Sequence, residues 1–234
     1  MKEDRIIDIQ GVKKIYRLGK ERVVALDDVS FQLTKGEITC IFGTSGSGKS
    51  TLLNQLAGLE KPDAGKVEIL GVPLPKLNED QLAAFRQKHM GFVFQSYNVL
   101  PFLTAVENVA MPLMFRGISE KKRHRRAKKM LEQVGLGDRI HHFPSQMSGG
   151  QQQRVGIARA FVAKPAVLFA DEPTGNLDSK TRVEVMDLIL GFVKKYKQTI
   201  VLVTHDPDIA IYADRIITLV DGKIIKDEKG ARHA

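Results

Sequence analysis

The stretch Gly43-Thr44-Ser45-Gly46-Ser47-Gly48-Lys49-Ser50 decides the fold of this chain. It follows the apolar run Ile38-Thr39-Cys40-Ile41-Phe42 and precedes a helical pattern through Leu52, Leu53 and Leu56, so it joins a strand to a helix. Glycines at 43, 46 and 48 let the backbone amides curl into a cradle, and the helix behind them presents its positive dipole end and unpaired N–H groups to an anion. The pattern is that of a phosphate-binding loop. Lys49 is expected to reach the β- and γ-phosphates of a nucleotide, and the Ser50 hydroxyl to ligate Mg²⁺. A second stretch, Met147-Ser148-Gly149-Gly150-Gln151, puts a serine at a helix N-cap position ahead of a helix from Gln151 to about Ala163 that carries Val155, Ile157, Ala158, Phe161 and Val162. Alone it reads as an ordinary capped helix. One nucleotide has little use for two such loops, and other features decide the matter.

At 234 residues with 43% hydrophobic content, the chain can bury a substantial core. No apolar run approaches the roughly 18 to 20 residues needed to cross a bilayer, and Met1-Lys2-Glu3-Asp4-Arg5 leads into no signal-type apolar core, so a membrane role must come through a partner. The single cysteine, Cys40, lies inside an apolar strand, where it reads as a small buried hydrophobe suited to a reducing compartment. The net charge of +9 fits nucleic acid, anionic lipid or a polyanionic nucleotide alike. Its densest part, Lys121-Lys122-Arg123-His124-Arg125-Arg126 with Lys128 and Lys129, precedes Met130, Leu131 and Val134 in helical register. It reads first as a solvated helix face and second as a lipid or nucleic-acid contact.

From Ile6 to Leu33 the pattern alternates around the turn-like Arg17-Leu18-Gly19-Lys20, which predicts an antiparallel sheet. After a break at Lys61–Gly65 comes a short strand, Lys66 to Leu70. Residues from about 78 to 163 are mostly helical in pattern apart from the strand Gly91-Phe92-Val93-Phe94-Gln95, with Pro101, Pro112 and Pro144 as punctuation. Past Pro165 the runs Val167–Ala170, Thr199–Thr204 and Ile216–Val220 are apolar on both faces, as strands of a buried parallel sheet must be. Asp221-Gly222 signals a hairpin into Lys223–Lys226, and Lys229–Ala234 are expected to be disordered.

Val167–Ala170 runs into Asp171-Glu172, so two carboxylates emerge at the C-terminal edge of a central strand, where ligands of α/β proteins bind. Asp171 is expected in the Mg²⁺ shell, and Glu172 as the group that polarises the water attacking the γ-phosphate. With these motifs in this order, the chain resembles the ATPase subunits of ATP-binding cassette (ABC) transporters over essentially its whole length. The resemblance implies that Tyr16 stacks on adenine, Gly43 to Ser50 with Thr51 hold the phosphates, and Gln95 contacts Mg²⁺ and the lytic water. It also makes Ser148, Gly149, Gly150 and Gln151 the signature loop, places Asn176-Leu177-Asp178 across a dimer seam, and makes His205 the switch histidine on the γ-phosphate. It further implies an α/β fold: a P-loop NTPase core with a mixed, largely parallel sheet, an N-terminal antiparallel β subdomain and an inserted α-helical subdomain. Residues 1–234 would form a single ATPase domain, with core and β subdomain at about 1–90 and 165–234 and the helical signature subdomain at about 91–164.

The expected ligands are ATP and Mg²⁺, and the expected partners a second copy of the chain, paired head to tail around two ATP molecules, and integral membrane permease subunits; no nucleic acid is expected. The place implied is cytoplasmic, peripheral on the inner face of the cell membrane. Two departures stand out. Met147 replaces the usual leucine, which conserves volume, and Gly156 sits mid-helix, at a cost of roughly 1 kcal/mol. Leu100, Phe102 and Leu103 are candidates for a groove that receives a short helix of a membrane subunit, whereas Val106, Val109, Met111, Leu113, Met114 and Phe115 read mostly as core.

The phrases Asp171–Ser179 and Gln151-Gln152-Gln153-Arg154 are most similar to the lipoprotein-release, macrolide-export and cell-division group, and no regulatory domain of the kind sugar importers append is expected. The competing reading is a soluble cassette ATPase acting on ribosomes or nucleic acid. It is disfavoured because those relatives carry two cassettes or a coiled-coil insertion. A nucleotide-binding regulator without turnover is disfavoured by Lys49, Glu172 and His205.

Overall fold

The computed structural model describes residues 5–19 and 21–230; the expected turn residue Lys20 lies outside them, as does Ala231 onward of the end expected to be disordered from Lys229, whereas Lys229 itself pairs with Arg215 in a strand. In chain order the elements are β1 (Arg5–Leu18), β2 (Glu21–Thr34), β3 (Ile38–Phe42), α1 (Lys49–Leu56), β4 (Ala64–Ile69), β5 (Val72–Pro73) and α2 (Glu79–His89). Then follow β6 (Met90–Phe94), α3 (Ala105–Phe115), α4 (Glu120–Gln133), α5 (Gly149–Val162), β7 (Val167–Asp171) and α6 (Ser179–Tyr196). The chain closes with β8 (Thr199–Thr204), α7 (Pro207–Ala210), β9 (Arg215–Val220) and β10 (Lys223–Lys229). These elements form two compact units, one of residues 1–86 with 198–234 and one of residues 87–197.

In the first unit an antiparallel sheet runs β2-β1-β4-β5, as the alternation predicts. Its core side is set by Ile7, Ile9, Val12, Leu26, Val29 and Leu33, all buried. Beside it β3 pairs in parallel with both β8 and β9, and β9 pairs antiparallel with β10 through the expected hairpin. Asp221 (φ 46°) and Gly222 (φ 74°) supply the two left-handed residues that a tight hairpin turn of this twist requires. Cys40 is buried in β3, and burial pushes its thiol up to about 12.

In the second unit β6 and β7 pair in parallel, with Phe92 and Phe169 stacked at 5.5 Å. The helices α3, α4, α5 and α6 bury Val109 and Leu113, Ala127 and Leu131, Val155 and Ile157, and Ile189 and Phe192. Three features differ from the sequence pattern. The longest helix, α6, has no counterpart in it: its buried positions Val185, Met186, Ile189, Phe192 and Val193 form a helical stripe, but exposed Val183 and half-buried Leu188 and Leu190 blur the period. Pro112 lies inside α3 and does not end it, because only Leu113–Phe115 follow it and the loss is one hydrogen bond, to the Asn108 carbonyl. Met114 and Phe115, grouped with the core by the pattern, are 46% and 63% exposed, since α3 ends there and its inward face is already filled by Val106, Val109 and Leu113.

Candidate functional site: two half-sites at the ends of parallel strands

In the first unit Phe42 of β3 lies beside Thr204 of β8, so Gly43 and His205 leave the sheet side by side at its C-terminal edge. Crevices at such edges are where open α/β sheets bind ligands. The loop after β3 is held by its neighbours. Gly222 N–H donates to the Ser47 carbonyl (3.0 Å), and Ser47 N–H to the Thr44 carbonyl (3.3 Å). Gly48 has φ 101° and a Cβ there would lie 2.5 Å from the Ala25 carbonyl oxygen, while one on Gly43 would lie 2.3 Å from that of Leu219; no side chain fits either place. The Lys49 Nζ donates to the Thr44 carbonyl (2.7 Å), which holds a largely buried ammonium across the loop. Ser47 Oγ is buried without a protein partner, while Thr44, Ser45, Gly46 and Ser50 face outward. The result is a cationic, amide-lined cradle at the head of α1, which fits a polyphosphate.

Tyr16 is tied to the same helix. Its hydroxyl donates to Glu60 (2.6 Å), which also accepts from Asn54 Nδ2 (3.0 Å), and Thr51 hydrogen-bonds the same phenol. Burial, then the Glu60 carboxylate, push the phenol above its ordinary value. Directly across the β1–β2 ladder lies Val23, 44% exposed. Tyr16 and Val23 therefore lie on one face of this strand pair. Val23 escaped the sequence reading because only strand register brings it opposite Tyr16.

In the second unit Phe94 of β6 lies beside Asp171 of β7, so Gln95 and Glu172 emerge together at that pair's C-terminal edge. Glu172 has φ 43°, a left-handed conformation that costs about 1–3 kcal/mol in a non-glycine residue and is found where a side chain must be aimed. Gln95 and Asn176 bond reciprocally: Gln95 Nε2 to Asn176 Oδ1 (3.2 Å) and Asn176 Nδ2 to the Gln95 carbonyl (3.1 Å). The buried Gln153 of α5 donates to the carbonyls of Phe94 (3.1 Å) and Pro173, and so fastens both strand ends to one helix.

That helix begins with the second loop. Ser148 caps α5 by accepting from Gln151 N–H (3.3 Å), and Gln151 Oε1 accepts from Ser148 N–H (3.0 Å). Gly149 and Gly150 occupy its first turn, with the Tyr97 hydroxyl and Thr181 packed against their Cα atoms. Gly156 has its reason here: a Cβ would come 3.1 Å from the Tyr97 carbonyl oxygen, so the glycine admits the loop after Gln95. Arg159 then clamps that loop through the carbonyls of Asn98 (2.6 Å) and Tyr97 (3.3 Å), and burial lowers its guanidinium pKa. Asp178 caps α6, accepting from Thr181 N–H (3.0 Å) and hydroxyl (2.6 Å), bonds that hold its carboxyl below the ordinary value. The sequence reading did not assign roles to Tyr97, Gln153 or Arg159. The last two sit at helical spacing within α5 and looked like ordinary helix residues.

Loop, strand-end carboxylates and fold together define a nucleotide-binding protein of the P-loop NTPase class. The family model for the ABC transporter matches residues 26–175, and the chain belongs to the ABC transporter family as an ATP-binding cassette. It is 46% identical over 222 residues to the macrolide export ATP-binding/permease protein MacB 1 of Yersinia pestis bv. Antiqua, covering 95% of this chain but 34% of that protein, so the chain spans about a third of such relatives. It is 49% identical to an uncharacterized ABC transporter ATP-binding protein of Thermotoga maritima, covering 94% of each. Among solved structures, the dimeric post-hydrolysis state of the ATP-binding cassette MJ0796 bound to ADP and Pi superimposes with a TM-score of 0.89 at 42% identity, covering 96% of this chain and 98% of that one. Among the described residues no helix is long and apolar enough to cross a membrane.

Proposed function

We propose that this chain is the ATP-hydrolysing subunit of a membrane transporter, and that ATP drives two copies together head to tail to power a permease. The observation that carries this reading is the presence of two anion-binding helix heads. The first, with Lys49, is complete as a phosphate cradle; the second, capped by Ser148, has no chemistry of its own to do. In a head-to-tail pair the γ-phosphate held by Lys49 of one copy meets Ser148 and Gly150 of the other, and hydrolysis removes the tie. The dimeric MJ0796 cassette with ADP and Pi supports such an assembly.

Within each site Tyr16 stacks on adenine, residues 43–51 take the phosphates, and Gln151 and Asp178 complete the seam. Ser50, Gln95 and Asp171 are the oxygen donors suited to Mg²⁺, which when bound neutralises charge on the phosphates. Glu172 accepts the proton of the attacking water, Gln95 orients that water, and His205 and Lys49 hold the γ-phosphate. The aimed backbone of Glu172 supports its role as base.

The resemblance to MacB favours the export, lipoprotein-release and mechanical-transmission branch, with the chain on the cytoplasmic face of the membrane. Phe102 is 71% exposed and Leu100 and Leu103 are half-buried, which suits a groove for a short permease helix. The deciding experiment purifies tagged Glu172→Gln protein from its host with ATP present. The reading requires an ATP-dependent dimer that carries a multi-helix membrane protein; a monomer in ATP, or ribosomal proteins in place of a membrane protein, overturns it.

A further inference from the structure

The basic cluster is the one sequence feature that the cassette reading leaves without work. In α4 the buried positions Ala127, Met130 and Leu131 fix the inward side. At 100° per residue, Lys128, Lys121, Arg125, Lys129, Lys122 and Arg126 then follow one another around an outward arc of about 160°. All six are exposed, and among the described residues none has an ion pair or a side-chain hydrogen bond; the helix's one ion pair, Arg123 with Glu120 (3.7 Å), lies at its flank. A single carboxylate, Glu132, shares the arc. Six unneutralised cations within about 12 Å of helix repel one another in isolation and call for an extended anionic surface. Four residues ahead of this helix, where α3 ends, Met114 and Phe115 stand 46% and 63% exposed. Cations next to exposed apolar side chains are what an interfacial membrane contact uses, the charges meeting headgroups and the apolar groups entering the acyl boundary. No Phe, Tyr or Trp lies on α4 to stack a base, and its one imidazole, His124, is half-buried outside the cationic arc.

We propose that the outward face of α4, with Met114 and Phe115, binds the anionic phospholipid headgroups of a bilayer directly, without a permease. The contact is separate from nucleotide turnover, so its failure leaves the ATPase reading standing. The test sediments the full chain with vesicles of phosphatidylcholine alone and of phosphatidylcholine with about one-third phosphatidylglycerol. Binding is expected only to the anionic vesicles, and it should fall as salt rises from roughly 0.1 to 0.5 M. The variant Lys122→Gln/Arg125→Gln/Arg126→Gln/Lys129→Gln, all at exposed positions, should bind at least about tenfold more weakly with unchanged melting temperature and ATPase rate. Phe115→Ser should weaken binding severalfold while leaving the salt dependence intact. Equal binding to neutral vesicles, no binding to anionic ones, indifference to the quadruple variant, or displacement of the chain from vesicles by an equal phosphate concentration of single-stranded DNA would each overturn the proposal.

Discussion

Asn108 shows how one buried side chain shapes the surface proposed for the permease. It is fully buried in α3; its Oδ1 accepts from Leu100 N–H (2.8 Å), and its Nδ2 donates to the carbonyls of Leu100 (3.1 Å), Leu103 (3.0 Å) and Thr104 (3.1 Å). The turn that presents Phe102 is thus bonded to a single amide. Asn108→Leu keeps the branching at Cγ and the number of heavy atoms and removes the bonds. Orphaning the Leu100 N–H costs about 1–3 kcal/mol, and the lost bond to the Leu103 carbonyl about 1 kcal/mol. The gain from burying an apolar side chain returns roughly 1 kcal/mol. The Leu100 and Thr104 carbonyls keep the backbone donors Leu103 N–H (3.2 Å) and Asn108 N–H (2.9 Å) and add little. The sum is a destabilisation of about 2 kcal/mol, which at ~2–4 °C per kcal/mol lowers the melting temperature by about 4–8 °C. Calorimetry on the two proteins reads this directly. ATP affinity should stay within about threefold, because no bond of Asn108 reaches residues 43–51. A fall of less than about 2 °C would refute the assignment of the turn to Asn108.

Gly48→Ala places a Cβ 2.5 Å from the Ala25 carbonyl oxygen at φ 101°, and the resulting strain of about 1–3 kcal/mol should weaken ATP binding by roughly 10- to 100-fold in titration calorimetry; unchanged affinity would contradict a rigid cradle. Burial works to raise the Asp8 carboxyl, but hydrogen bonds from Gln10 and Gln32 and the charges of Lys66 and Arg5 outweigh it and hold the pKa below its ordinary 3.8. A depressed native value stabilises the fold above that ordinary value and is lost as pH falls through the lowered one, so the acid limb of the stability curve should flatten in Asp8→Asn; identical acid limbs would count against the cluster. Cys40, its thiol pushed up to about 12 by burial, should resist a maleimide at neutral pH until denaturant is added, and rapid labelling of the native protein would show that β3 opens.

What could be read from the chain without coordinates was whatever chemistry writes in short, contiguous runs. Residues 43–50 announce a cradle because glycine spacing and a following lysine are local requirements of phosphate binding, and the double-sided apolar runs at 167–170 and 199–204 announce buried strands because a covered sheet admits nothing else. Asp171-Glu172 was legible as a strand-end pair for the same reason, whereas Gln95 and His205 were singled out by the family resemblance. Tertiary structure alone could decide which residues meet. Val23 faces Tyr16 only through the register of β1 and β2, and Gln153 and Arg159 reach Phe94, Pro173, Tyr97 and Asn98 across 20 to 62 residues of chain. Gly156 looked like a weakened helix until the backbone of Tyr97 was found packed against it. The helix α6 was missed, and Met114 and Phe115 were misread as core, because periodicity records which residues are apolar and not where an element ends or what covers it. Such facts depend on pairings between distant segments, which no local pattern encodes and which only packing of the whole chain selects.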